Sequence, residues 1–292
     1  MSKFGIIFLL ILTAACARQA PQSYSLSDIN SGKIIGGTAV SETDFARQAT
    51  VSIYTESRRG LEFVCTGTLI SKDLVVTAAH CLQSLFTPLY VSLGEKLPQA
   101  TQSMIKVSQS TSHPEYRNVQ KPGVDGDKYW TTEHDIALLK LSYDAPREFT
   151  PIAIHADTDQ IPSESKLLLA GFGMTDDETD SRAKSMNQVE VTLNSIVEEF
   201  LVIDQTSGKG ACFGDSGGPA YLETESGWLV VGATHAARPG YFDCRHFSDY
   251  TSLSKYAQYI LSVADQFEAD LPQFVLPQTS PERPVRAPLA VQ

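Results

Sequence analysis

Gly210-Ala211-Cys212-Phe213-Gly214-Asp215-Ser216-Gly217-Gly218-Pro219 is the stretch around which the rest of this 292-residue chain can be read. Ser216 stands between Asp215 and a glycine pair, with Gly214 two positions before it. Glycine tolerates φ > 0 and lets other backbone come close. Such a loop can present Ser216 Oγ beside inward-pointing N–H groups, the geometry that holds a developing oxyanion. Alone, a Gly/Ser/Pro cluster is as readily an ordinary turn. Two further stretches decide against that.

Val75-Val76-Thr77-Ala78-Ala79-His80-Cys81 is an apolar strand that ends in small residues and delivers a histidine beside a cysteine. Asp135-Ile136-Ala137-Leu138-Leu139-Lys140-Leu141 is an aspartate opening an apolar run. Singly, His80 reads as a structural histidine and Asp135 as a turn residue. In the order His…Asp…Ser they supply a base, an orienter and a nucleophile. On these three blocks the chain resembles the trypsin/chymotrypsin family of serine endopeptidases, over roughly residues 34–266.

The resemblance implies an all-β fold of two six-stranded antiparallel barrels with a C-terminal helix. It implies that Ser216 is the nucleophile, His80 the general base and Asp135 its orienter. The backbone N–H groups of Gly214 and Ser216 would form the oxyanion hole, with no cofactor and no metal. It further implies two disulfides: Cys65–Cys81, bracing the histidine loop, and Cys212–Cys244, bracing the specificity pocket.

Residues 1–15 carry Lys3, an apolar run over residues 6–12 and then small residues, the pattern of a secretion signal. The run is short for a membrane span. Leu12-Thr13-Ala14-Ala15-Cys16 resembles a bacterial lipobox, with Thr13 where leucine is usual. The alternative is a plain signal peptide with an incidental cysteine. Of five cysteines, the family pairing leaves Cys16 over, and an odd cysteine in an exported chain asks for another use. Lipidation of Cys16 in a bacterial, exported protein is the expectation.

Residues 16–33 read as a polar pro-segment ending at Lys33, directly before Ile34-Ile35-Gly36-Gly37. In the family such a sequence is the activation site. An activating protease cutting after Lys33 would free the Ile34 amine to pair with Asp215. Neither charge tolerates burial alone. The plain reading of this stretch is a strand with a Gly-Gly turn.

From residue 49 onward, short strands recur between turns, as in a sandwich or barrel. Residues 118–133 read as a polar Gly/Pro insertion, and Asp125 with Asp127 is too little for a calcium loop. A second barrel is expected from about Pro151, with an acidic solvated loop over residues 176–180. The family's helix and disulfide-closed loop are missing from the short segment 197–209, so the cleft should be more open on one side. Leu253, Tyr256, Ile260 and Val263 at helical spacing match a closing helix. The protease domain is thus placed at 34–268, and residues 269–292 read as a Pro-rich, extended and mobile tail.

The pocket floor in this family lies six positions before the serine, here Gly210, with walls near Ala236, Ala237 and Ser248. Without an acid at Gly210 the pocket favours apolar or aromatic side chains. A one-residue slip that brought Asp249 inward would restore basic specificity. His235 stands where the family has a serine. Its simpler reading is a histidine hydrogen-bonded on its strand; a sharper one places it on Asp135. The remaining histidines, His113, His134, His155 and His246, receive no catalytic role.

A net charge of −11 leaves no basic footprint for nucleic acid. Two disulfides place the chain in an oxidising compartment. The partners expected are protein or peptide substrates and an activating protease, with membrane contact only through a lipid on Cys16. Two other classes stay open: an inactive homologue used as a binding module, and an esterase.

Overall fold

Alternating apolar residues draw six short strands together in the first half of the chain. They are β1 (Thr50–Ser57), β2 (Gly60–Leu69), β3 (Leu74–Thr77), β4 (Leu89–Leu93), β5 (Ile105–Ser112) and β6 (Ala137–Leu141). They close in the order β1-β2-β3-β6-β5-β4. Val51, Ile53, Leu69, Leu74, Val76, Val91 and Leu138 fill the interior. Each such side chain contributes roughly 1.5–3 kcal/mol on burial. The computed structural model describes residues 34–58, 60–83, 88–122, 128–176, 181–238 and 243–277. The signal, Cys16 and Lys33 lie outside them, as do Asp125, Asp127 and residues 177–180 of the acidic run.

The second barrel has β7 (Lys166–Gly171), β8 (Asn187–Val197), β9 (Phe200–Asp204), β10 (Pro219–Thr224), β11 (Gly227–Ala237) and β12 (Phe247–Ser252). The path β10-β7-β8-β9-β12-β11 closes through β10–β11 pairing. Every second residue points inward: Leu167 and Leu169, then Val189, Val191 and Leu193, then Leu201 and Ile203. The first barrel's core reaches Tyr221, Val230 and Ala233 of the second, whose own interior is a separate apolar cluster, and Thr50 Oγ1 meets Tyr221 Oη at 2.9 Å across the two. The fold is the expected pair of six-stranded antiparallel barrels. One α-helix among the described residues, α1 (Ala257–Gln266), follows a 3₁₀ turn at Ser254–Tyr256 and buries Ile260 and Val263.

Two expectations need correction. Residues 118–133 are not a plain loop: Arg117–Pro122 and Lys128–Glu133 pair as an antiparallel ribbon, Gln120 opposite Trp130. Tyr129, Trp130, Thr131 and Thr132 are good strand formers, and they outweigh the polar composition. The short segment after β8 holds no helix, as expected. It carries β9, reached through a tight turn with Glu198 at φ 55°. Finally, the start of the tail is docked. Phe274–Val275 runs parallel to Ile154–His155, with Ile154 N–H donating to Gln273 O at 2.8 Å.

Candidate active site

β3 is buried along its length and runs into Ala78 and Ala79, both fully covered, so only small residues fit there. The 3₁₀ turn Ala79–Leu82 then turns His80 outward, its side chain 29% exposed. The Cys65–Cys81 disulfide ties that turn to β2. Asp135 precedes β6 and is buried. Before it, His134 adopts φ 54°, unusual for a side-chain-bearing residue and of the kind found near functional sites.

Asp135 Oδ1 accepts the His80 backbone N–H at 2.8 Å, and Oδ2 lies 2.7 Å from His80 Nδ1. Burial alone would raise the Asp135 carboxyl. Hydrogen bonds from His235 and His80 outweigh it and hold the group well below the usual carboxylate range. An ionised oxygen only accepts, so His80 Nδ1 carries the proton and its Nε2 is left as the acceptor.

Ser216 lies in the same cleft as His80. Its loop is fixed by backbone bonds: Thr66 N–H donates to Ser216 O at 3.0 Å, and Gly217 N–H to Thr234 O at 2.8 Å. Gly217 sits at φ 73°, and a Cβ there would fall 2.0 Å from Thr77 Oγ1. Gly214 sits at φ 98°, its carbonyl accepting from Thr66 Oγ1 at 3.0 Å.

Asp215 points away from the cleft and is fully buried. Cys212 N–H and Gly173 N–H donate to its carboxylate at 2.9 and 2.8 Å. Burial pushes its pKa up to about 7, against the lowering effect of those two donors. Among the described residues no cation pairs with it. Ile34 is buried in the second barrel's core, and Ile35 bridges Gly210.

The pocket beside Ser216 is lined by Ala211, Ala236, Ala237, Ser248 and Gln205. The Cys212–Cys244 disulfide borders it. Asp249 does not enter. In the β11–β12 register Ser248 faces Ala237, while Asp249 pairs with Arg238 at 2.8 Å.

Gln205 is a residue that sequence reasoning missed. Its Oε1 accepts from Ala211 N–H and Ser248 Oγ, each at 2.8 Å. Its Nε2 donates to Cys244 O at 2.9 Å and Ala211 O at 3.2 Å. Both donors and both lone-pair sites of the amide are thus engaged. Gly210 itself is not among the lining residues, but a Cβ on it would lie 2.1 Å from Gln205 Cδ, so this glycine is what admits the amide. That glycine is the only signal the sequence offers for it.

The simpler reading of His235 is overturned. Its Nδ1 lies 2.8 Å from Asp135 Oδ2, the oxygen already held by His80. The ribbon also reaches the cleft, where Asn118, Trp130 and Thr132 form one wall and Trp130 is 69% exposed. Phe213 stands at the rim, 64% exposed.

His113, Glu115 and His134 bring potential metal-ligating atoms within 4.8 Å of one another. The two imidazoles stack at 20°, so their in-plane lone pairs do not converge. Both Nδ1 atoms are also occupied, by Glu115 N–H and Tyr256 Oη. Cys65 and Cys81, beside His80, are joined to each other.

The family model for trypsin matches residues 34–260. Serine protease 28 of Mus musculus is 24% identical over 251 residues, 77% of this chain and 88% of that protein. Trypsin delta of Drosophila erecta is 27% identical over 240 residues, 77% of this chain and 87% of its own. Phenoloxidase-activating factor 3 of Holotrichia diomphalia is 30% identical over 227 residues, covering 67% of this chain and 61% of the relative.

Proposed function

The chain belongs to the trypsin family, and from that premise we propose that it is a serine endopeptidase, exported and made as a zymogen. The observation that carries this is the His80–Asp135 pair, 2.7 Å apart, opening onto the cleft that holds Ser216. Ser216 Oγ attacks the scissile carbonyl and passes its proton to His80 Nε2. Asp135 holds the imidazole tautomer and steadies the imidazolium. The N–H groups of Gly214 and Ser216 receive the oxyanion, each worth about 3 kcal/mol in comparable sites. The leaving amine takes the proton from His80, and water repeats the path to release the acid.

The buried carboxyl of Asp215 supports activation by cleavage after Lys33. A new α-amino group at Ile34 would give it the cation that the described residues lack. The Cys16 segment supports export and a bacterial lipid anchor. The cut itself would be made by a second protease, because the pocket suits neutral side chains. Gly210 gives no charge, Asp249 is committed to Arg238, Asp243 on the lining is paired with His246, and the Gln205 amide has no free group to offer a lysine or arginine. Apolar or aromatic residues are the preferred side chains before the scissile bond.

Labelling with a fluorophosphonate after processing should modify Ser216 and be lost in Ser216→Ala. Digestion of a peptide library should then give cuts after apolar residues. No label, or cuts confined to lysine and arginine, would end this reading.

A further inference from the structure

Asp135 Oδ2 carries two imidazoles: His80 Nδ1 at 2.7 Å and His235 Nδ1 at 2.8 Å. The His80 side chain is 29% exposed and the His235 side chain 3%. His235 reaches the carboxylate because of a local irregularity. The β11–β12 register passes from Thr234↔Tyr250 to Ala236↔Asp249, leaving His235 as the extra residue of a bulge. Bulges of this kind re-aim side chains beside active sites. Phe200 on β9 packs on the ring, 4.9 Å between centroids, and Thr132 Oγ1 on the ribbon lies 3.4 Å from Nδ1.

The charged and titratable surroundings are few. Asp249 on β12 faces His235 but is tied to Arg238. Tyr116 and Tyr256 face Asp135, both held neutral by burial first, then Tyr116 by the Asp135 charge and Tyr256 by Glu199 and after it Asp135. Glu133, at the end of the ribbon, is paired with Arg117 and Lys121. His134, next to Asp135, is turned to Tyr256 Oη. One carboxylate therefore serves two rings. A buried carboxylate can neutralise one imidazolium, and a second cation beside it would be left without a counter-charge of its own.

We infer that His235 is a positioning residue for Asp135 whose ring makes the active site a two-imidazole proton trap, inactive whenever either ring holds the proton. The inference rests on the protease reading. With both rings neutral, Asp135 stabilises the charge that His80 gains as Ser216 attacks. A proton on His235 uses up that stabilisation in advance, and His80 can no longer accept one cheaply. The acid limb of kcat/KM then reports the pair and not His80 alone.

His235→Asn keeps an N–H where Nδ1 stood and removes the titration; His235→Ala removes the donor as well. With the processed enzyme, His235→Asn should keep most of the plateau kcat. Its acid limb should move to lower pH by about 0.3 unit or more, the shift for two equal sites reduced to one. His235→Ala should lose kcat on the order of tenfold or more at unchanged KM, the scale of one hydrogen bond to a charged group. Proton NMR of the wild type labelled with ¹⁵N-histidine should show two downfield ring N–H signals that titrate in one coupled step. His235→Asn should keep one of them.

A single downfield signal in the wild type, or two that titrate independently, would overturn the inference. So would a His235→Asn acid limb that coincides with the wild type. The NMR arm needs no turnover and no variant. It therefore judges the shared carboxylate even where labelling of Ser216 fails, and that failure would count against the protease reading instead.

Discussion

The first barrel gives the site two residues and keeps them simple; the second gives it a nucleophile loop, a pocket and a crowd of buried polar groups. His80 and Asp135 emerge from a core of Val, Leu and Ile and need only small neighbours and a strand end. Around Ser216, by contrast, Asp215, Gln205, His235 and Asp249 are all buried. The first barrel acts as a holder. On the proposed reading the second carries selectivity and control, because each buried polar group there must find partners and so constrains what else can bind.

The contrast can be broken or sharpened by experiment. The largest effect should come from the shared chemistry: Ser216→Ala or His80→Ala should lower kcat on the order of 10⁶-fold, as in a comparable serine protease. Single-turnover assays check this, and retained activity in either variant would dissolve the contrast altogether.

Next in size is Asp215. Burial raises its carboxyl in the folded chain to about 7, well above the ordinary carboxylate range. Its contribution to stability is therefore fully present below pH ~4 and lost as pH rises through about 7, amounting to about 4 kcal/mol. Urea unfolding of the uncut chain against its Asp215→Asn variant, at pH 4 and pH 8, measures that difference. After cleavage the Ile34 ammonium should cancel most of it. A pH-independent difference in the uncut chain would rule the mechanism out.

Smaller still is the pocket. Gly210→Asp alone should destabilise by about 1–3 kcal/mol through overpacking against Gln205, without conferring cleavage after lysine. Combined with Gln205→Gly it should gain that cleavage. Thermal melts and the same peptide library read both outcomes. If Gly210→Asp alone cut after lysine at full stability, Gln205 would not be the floor. The smallest effect belongs to Trp130→Ala on the exposed ribbon, within about 0.5 kcal/mol in stability. It should raise KM several-fold for longer peptides and leave kcat unchanged.

The same contrast explains what was legible in the sequence. Strand ends and tight loops impose residue types locally, so Ala78-Ala79-His80, Asp135 and Gly214–Gly218 announce themselves. Period-2 alternation does the same for both barrels. Gln205 and His235 lie outside those blocks, and their roles depend on which side chain meets them across a sheet. The bulge that re-aims His235 is a matter of register between β11 and β12, and no local pattern encodes it. The ribbon and the docked tail were hidden for a related reason. Polar and Pro-rich composition argues for loops, while pairing with a neighbouring edge decides otherwise.

That docked tail has a mechanical consequence. Ile154 lies in the connection between the barrels, with Val230 of β11 alongside it on one edge and Phe274 on the other. A connector paired along both margins is braced against bending as a hinge. On the proposed reading, such bracing would hold the two halves of the cleft at their spacing and ask a polypeptide substrate to extend itself to fit.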